Sequence, residues 1–302
     1  MTPHPTPLPA DLRTWVTNRL AGTGPVTAED VSWPRDDSRV WRVSRGPHAA
    51  YVKICPTAQT HAREVHAYDR AVEILGPDEA PRLLAADPDL RAIMTTPVAG
   101  AVVKDLPLPP AQERLAHELA ARLLARWHTA DPDTIPATAR EQALASVTAR
   151  ADAAAPHLEH AAPVLTQPQH ALAERARKEL PQLAPALPLA HRHGDFAPRN
   201  WLWNADRATV ALFDFEQAAP GIAVEDLVWL FATTWPTRPD LKKACLTGYD
   251  RRLDQAENRA LTLFTALAAT SYVSAGVTLD RPDLITKGQD AFAHLLGTAR
   301  TP

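Results

Sequence analysis

Residues 191–200 read HRHGDFAPRN, and Asp214 follows soon after in LFDFE. A histidine, a glycine, an aspartate and an asparagine thus share one polar loop between apolar, strand-like runs. Such a loop is either a solvated turn or a site. Taken singly, Asp195 and Asn200 are ordinary turn formers whose side chains bond nearby backbone. Taken together, His193, Gly194, Asp195 and Asn200 at fixed spacing arise by chance at about one position in 10⁵ at average residue usage. The joint pattern therefore favours a site. The stretches NWLW (200–203) and TVALFDF (209–215) flank the turn NADRA and predict an antiparallel hairpin. That hairpin brings Asn200, opening one strand, close to Asp214, which ends the other. With Asp195 on the preceding loop, these oxygen ligands suit a hard cation of the magnesium type, which takes few protein ligands and leaves room for phosphate oxygens.

Lysine is scarce in this arginine-rich chain, and Lys53 is the only one in the first hundred residues. It lies in AAYVKIC, an apolar, β-branched run that reads as a strand over 51–55. It is either an edge-strand lysine facing water or a functional cation. Around it, residues 10 to about 96 alternate between element types. A helix is expected over 11–20, strands in RVWRVSRG and AAYVKIC joined by a GPHA hairpin turn, and a helix over about 60–75. Strand-like PRLLAAD and LRAIMTT follow as a pair. From about 105 the pattern turns helical. Leu115, Leu119, Leu123 and Trp127 recur four apart and predict one apolar helix face. Proline-punctuated, alanine-rich helices run to about 190, the short β island 189–216 carries the loop, and helices resume to the end.

Composition narrows the function. The chain has 302 residues, 45% hydrophobic and 22% charged, with a formal net charge of −3. That is an ordinary globular balance, and it predicts neither a basic nucleic-acid face nor a nucleic-acid partner. The two cysteines, Cys55 and Cys245, lack metal-ligand spacing and read as reduced thiols of a cytoplasmic protein. The N-terminus lacks the basic and apolar regions of a signal peptide, and no apolar run is expected to span a bilayer. The expectation is a soluble, cytoplasmic protein with no membrane partner, monomeric or weakly dimeric.

The loop His193-Gly194-Asp195 with Asn200 resembles the catalytic loop of the aminoglycoside phosphotransferase family, relatives of the protein kinases, whose own pattern is His-Arg-Asp with an asparagine five residues past the aspartate. FDFE resembles the family's metal-binding segment, with Glu216 where protein kinases carry glycine. YVKIC resembles the strand of the phosphate-binding lysine, and HAREVHAYDRAVEIL the helix of its glutamate partner, Glu64. AIMTTPVAG, LARWHT and GIAVEDLVWLF resemble, in order, the inter-lobe connection, the end of a long helix and the Asp-Leu stretch after the metal aspartate.

The resemblance implies an α+β, protein-kinase-like two-lobed fold. A small β-rich nucleotide-binding lobe would span 1–97, and a larger, mostly helical lobe with the catalytic loop, metal site and acceptor pocket 98–302. It also implies roles. Asp195 would orient the acceptor hydroxyl and take its proton, Asn200 and Asp214 would hold Mg2+, and Lys53 would grip the phosphates of ATP or GTP with Glu64 holding its ammonium. His193 would support the loop. Met94 and Thr95 would meet the base from the connection, and Leu202 and Phe213 would sandwich it. The segment expected to cover the phosphates, SWPRDDSRVWRV, has no glycine, which leaves Ser38 as its candidate phosphate cap. Pro97 offers no N–H where kinase-like enzymes read adenine, so the choice between ATP and GTP stays open. Acids and bases nearly match along the C-terminal helices, so no cup for a polycation is legible.

The expected function is transfer of a γ-phosphate to a hydroxyl of a small-molecule acceptor, an antibiotic in a resistance or self-resistance role among the candidates. The alternatives are a metabolic kinase of an amino alcohol or sugar, and an inert kinase-like binding protein. An inert relative would typically have lost the lysine, the loop aspartate or the metal aspartate, and this chain keeps all three.

Overall fold

The computed structural model describes residues 6–32, 39–130 and 135–297. Ser38, Asp36 and Asp37 lie outside the described residues. The chain divides into two compact units, one drawn from 1–108 and 198–218 and the other from 109–197 and 219–302.

The first unit is built on a five-stranded antiparallel sheet ordered β1-β2-β3-β5-β4. Its strands are β1 (Thr27–Asp30), β2 (Arg39–Arg45), β3 (His48–Ile54), β4 (Leu83–Asp87) and β5 (Ala92–Thr95). Alternation drives it. In β2, Trp41 and Val43 are buried and Arg42 between them is exposed. Helix α1 (Ala10–Arg19) covers one face, with Leu12, Trp15 and Val16 packing among Trp41, Val43, Val52 and Met94. Helix α2 (Ala58–Leu75) starts at a capping box in which Thr57 and Thr60 bond each other's backbone amides, and it stops at Gly76.

The expected boundary at 97/98 differs from the observed division. Strand β6 (Ala101–Val102) pairs with β8 (Trp201–Asn204), which pairs with β9 (Thr209–Leu212), so 98–108 and the hairpin belong to the first unit. Gly100 makes the β6–β8 approach possible. Its φ is 140°, and a Cβ there would lie 2.9 Å from the Trp203 carbonyl oxygen. The hairpin expected from NWLW and TVALFDF forms, but β9 ends at Leu212, short of Asp214.

The second unit is helical: α3 (Pro110–Thr129), α4 (Ala137–Ala161), α5 (Gln167–Leu183), α6 (Val228–Thr233), α7 (Pro239–Gly248), α8 (Gln255–Thr278) and α9 (Pro282–Leu295). A two-stranded ribbon of β7 (Leu189–Arg192) and β10 (Ala219–Ile222) lies among them. The buried face of α3 is Ala116, Ala120, Leu123, Leu124 and Trp127; Leu115 and Leu119 sit at its margin, because the real stripe follows 3.6-residue periodicity and not a strict spacing of four. The alanine-rich stretch forms two long helices that run through Pro156 and Pro181 near their C-terminal ends. Helix α8 has 24 residues and contains an 18-residue stretch of mean hydropathy 1.5, so among the described residues one helix does have the length and apolarity to cross a membrane, contrary to expectation. It packs against α4, α5 and α9, and 67% of its apolar stretch is buried, as in a core helix.

Candidate active site

In the first unit the site is organised around one ammonium group. Lys53 is 8% exposed at the end of β3. Its Nζ lies 3.0 Å from Glu64 on α2, 2.6 Å from Asp214 and 2.9 Å from Glu216. The edge-strand alternative for Lys53 is therefore removed. Burial alone would lower the lysine's pKa, but the Glu64, Asp214 and Glu216 carboxylates raise it well above its ordinary value, so it stays charged. Glu64 is pushed up to about 7, first by burial and further by Asp214 and Glu216, against the stabilising pull of Lys53. The Cys55 thiol donates to the same carboxylate at 3.4 Å.

Three carboxylates facing one ammonium leave the cluster short of positive charge. Oxygens of Glu64, Asp214 and Glu216 lie within 4.8 Å of one another. Uncompensated charge in a largely buried site is costly, so this donor set fits an added divalent cation. Asn200 ends the short turn just before β8, one residue short of the strand expected to begin with it; it is buried, and its backbone carbonyl accepts the amide of Phe213, the neighbour of Asp214, at 3.1 Å. Asp214 itself adopts a left-handed backbone, φ 64°, a conformation aspartate tolerates better than most side chains. Its amide donates to the Tyr68 hydroxyl at 3.2 Å.

A cavity of about 300 Å³ opens beside this cluster. Register explains its lining. Val40, Lys53 and Ile93 are cross-strand partners in one row, Tyr51 and Thr95 partners in another, and all five face the cavity. Leu202 and Phe213, the expected sandwich residues, line it too, with Val98 and Val102. Met94 does not. One residue off Ile93 and Thr95, it turns to the opposite face and packs with Val52 and Trp41 in the core. Ile93 holds the position expected of Met94. Along the connection the Thr96 amide is already bonded to the Arg82 carbonyl at 2.9 Å, and Pro97 has none, so the next amide on the cavity wall is that of Val98.

In the second unit, the loop after β7 is fixed by Asp226, which the sequence reading had not assigned a role. Its carboxylate accepts the backbone amides of His193 and Gly194, each at 2.7 Å, and pairs with His128 at 2.9 Å. His128 in turn meets the Tyr249 hydroxyl at 2.7 Å. Burial would raise the Asp226 pKa, but the His128 hydrogen bond, with His128, Arg192 and His193 nearby, holds it below the usual carboxylate range. The loop turns at Gly194, φ 83°. His193 is fully buried, and the Asp195 amide approaches its Nδ1 at 3.4 Å. Asp195, on the same loop, is only partly buried.

The clue to Tyr68 lay in the helix period, four residues after Glu64 and hence on the same face. Glu216 was visible as a departure from the kinase glycine, and the structure gives it a partner in Lys53. Asp226 could be found only through the resemblance of GIAVEDL, since its contacts span more than thirty residues of chain.

Glu64 carries a pH prediction. Its folded pKa of about 7 exceeds the ordinary 4.5, so the folded state binds the proton more tightly than the unfolded chain. Its contribution is present below the ordinary value and lost as pH rises to about 7, for a total of up to about 3 kcal/mol. In ligand-free protein, urea unfolding from pH 4.5 to 8 is expected to show this decline, and Glu64→Gln to flatten it. A variant whose slope matches wild type would assign the decline to other groups.

Fold and site together define a kinase-like phosphotransferase. The chain belongs to the phosphotransferase enzyme family, whose profile matches residues 27–265. It is accordingly a small-molecule kinase, and the membership expected from the loop motif is borne out. Among curated proteins no sequence relative matches. Solved structures share the fold. A thermostable mutant of aminoglycoside phosphotransferase APH(4)-Ia, in ternary complex with AMP-PNP and hygromycin B, superposes with TM-score 0.67 at 14% identity, covering 97% of this chain and 100% of that one. A choline/ethanolamine kinase family protein from Mesorhizobium loti gives TM-score 0.61 at 18% identity, covering 93% and 90%. Macrolide 2'-phosphotransferase MphH from Brachybacterium faecium gives 0.60 at 14% identity, covering 96% and 98%.

Proposed function

We propose that the protein transfers the γ-phosphate of a nucleoside triphosphate, ATP or GTP, to a hydroxyl of a small molecule. The observation that carries this reading is the buried Lys53 held by Glu64, Asp214 and Glu216 beside an apolar cavity. An ammonium fixed in this way presents a point charge to phosphate oxygens, and Leu202 and Phe213 offer apolar surface to a base. The Val98 amide is the donor available for reading that base. Asn200 and Asp214 would hold Mg2+, which when bound neutralises charge on the phosphates. Asp195 accepts the hydrogen bond of the acceptor hydroxyl, orients it and receives its proton as transfer proceeds. His193 buttresses the loop from its buried position. Similar folds crystallised with ADP or with AMP-PNP support the nucleotide.

The similar proteins are described as acting on aminoglycosides, macrolides and choline or ethanolamine, so the fold alone leaves antibiotic resistance and primary metabolism equal as roles. A screen of nucleoside diphosphate release against hydroxylated acceptors, with ATP and GTP as donors, tests the reading. Lys53→Ala is expected to raise the KM for the nucleotide about tenfold or more and to leave the KM for the acceptor nearly unchanged. Wild-type nucleotide use by that variant would remove Lys53 from the phosphate site.

A further inference from the structure

A second pocket lies wholly within the second unit, and its charge is opposite to that of the Lys53 cluster. We propose that it binds an anionic group, a carboxylate or a phosphate, carried by the hydroxyl acceptor. The proposal rests on the phosphotransfer reading above and names the substrate class for it.

The pocket encloses about 180 Å³ and is walled by β7, α4, α6, α8 and α9. Three bases reach it, Arg150, Arg192 and Lys287, against a single acid, Glu225. One oxygen of Glu225, a buried carboxylate, takes both Arg150 at 2.9 Å and Arg192 at 3.0 Å. Among the lining residues, two guanidinium groups on one carboxylate leave positive charge in excess, part of it offset by Asp226 near Arg192. Lys287 adds to the excess. Its Nζ sits 3.9 Å above the Tyr272 ring and has no carboxylate partner among the described residues. Much of the remaining wall is apolar, including Trp229, Ala268 and Ala269, with Thr233 and Thr265 adding hydroxyls, and the apolar part lowers the local dielectric and strengthens the pull on an anion. The Arg forks suit the planar or tetrahedral oxygens of carboxylate and phosphate.

Arg192 is positioned by a glycine. Gly221, on the neighbouring strand β10, has no Cβ, and one built there would stand 2.1 Å from the Arg192 Nε. The side chain lies across the space that glycine leaves. Gly194, on the same pocket wall, immediately precedes Asp195, so an acceptor anchored here has its anion next to the proposed base loop. The enclosed volume falls below the roughly 300–1,000 Å³ of drug-sized ligand sites, which favours a small acceptor or the small end of a larger one. A polycation would meet a lining in which bases outnumber acids.

The test uses glycerate, glycerol 3-phosphate, glycerol and 2-aminoethanol, first as ligands in titration calorimetry without nucleotide and then as acceptors in a transfer assay. The anionic probes are expected to bind at least tenfold more tightly than glycerol and 2-aminoethanol, and the better of the two distinguishes carboxylate from phosphate. Lys287→Gln and Arg150→Gln, both at partly exposed positions, are each expected to lose about tenfold of that preference, and Arg150→Lys to retain more of it than Arg150→Gln. The proposal is overturned if wild type binds no anionic probe, if glycerol or 2-aminoethanol binds as tightly as glycerate, or if both glutamine variants keep full anion affinity. Anion binding without transfer from either nucleotide would support the pocket assignment and count against the phosphotransfer reading. Transfer to 2-aminoethanol in preference to the anionic probes would do the reverse.

Discussion

Asp195→Asn is expected to lower turnover about 10²–10⁴-fold, the usual contribution of a positioned general base, with the melting temperature nearly unchanged. The amide keeps the shape of the side chain and its capacity to orient a hydroxyl, but it cannot take the proton. The loop should survive the change because its backbone is held elsewhere. Asp226 accepts the amides of His193 and Gly194, and His128 with Tyr249 holds Asp226. Nucleotide affinity should also survive, since the cavity and the Lys53 cluster are composed of first-unit residues. Steady-state kinetics with a responsive acceptor, together with nucleotide titration, separate these effects. Near-wild-type kcat in the variant would show that Asp195 is not the base.

What the sequence made legible was local. Strand alternation located β2 and β3, the scarcity of lysine singled out Lys53, and the turn between two apolar runs located the hairpin bearing Asn200. Each of these readings depends on neighbours within a few residues. Failures occurred where a side chain's direction or partner is set by distant chain. Met94 was assigned to the cavity by its place in a motif, yet the period of two sends Ile93 and Thr95 there and Met94 into the core. The boundary at 97/98 did not foresee that the short strand at 101–102 would pair with β8 from a hundred residues away. Asp226 meets its loop across a gap of more than thirty residues. The cationic pocket is the sharpest case. Counting along the C-terminal helices gives nearly equal acids and bases, because a linear tally does not show which charges converge. Arg150, Arg192 and Lys287 come from three separate elements and converge on one pocket, where Arg150 and Arg192 share the Glu225 carboxylate.

Asp214→Asn is expected to reduce transfer below detection while barely changing the melting temperature of the ligand-free protein. In sequence Asp214 stands between Phe213 and Phe215 at the end of an apolar run, where an uncompensated carboxylate is costly to bury and its removal would relieve a charge. The structure changes that energetic argument. The strand has already ended, the Asp214 side chain is 22% exposed, and Lys53 pairs with it at 2.6 Å. Removing its charge still leaves Lys53 with Glu64 and Glu216, and it relieves repulsion among three carboxylates, so loss and gain nearly offset. Asparagine also tolerates the left-handed backbone at φ 64°, so no strain is introduced. The effect should instead appear with ligands. A ligand that binds only the folded state stabilises it by mass action, about 2.7 kcal/mol at a hundredfold excess over Kd. Melting curves of apo protein, with Mg2+, with nucleotide and with both should show the largest shift for the pair in wild type. In the variant the increment due to Mg2+ should vanish, while the shift from nucleotide alone remains. Equal Mg2+ increments in the two proteins would make Asp214 a structural partner of Lys53, and the third carboxylate of the cluster, Glu216, would become the next residue to test as the metal ligand.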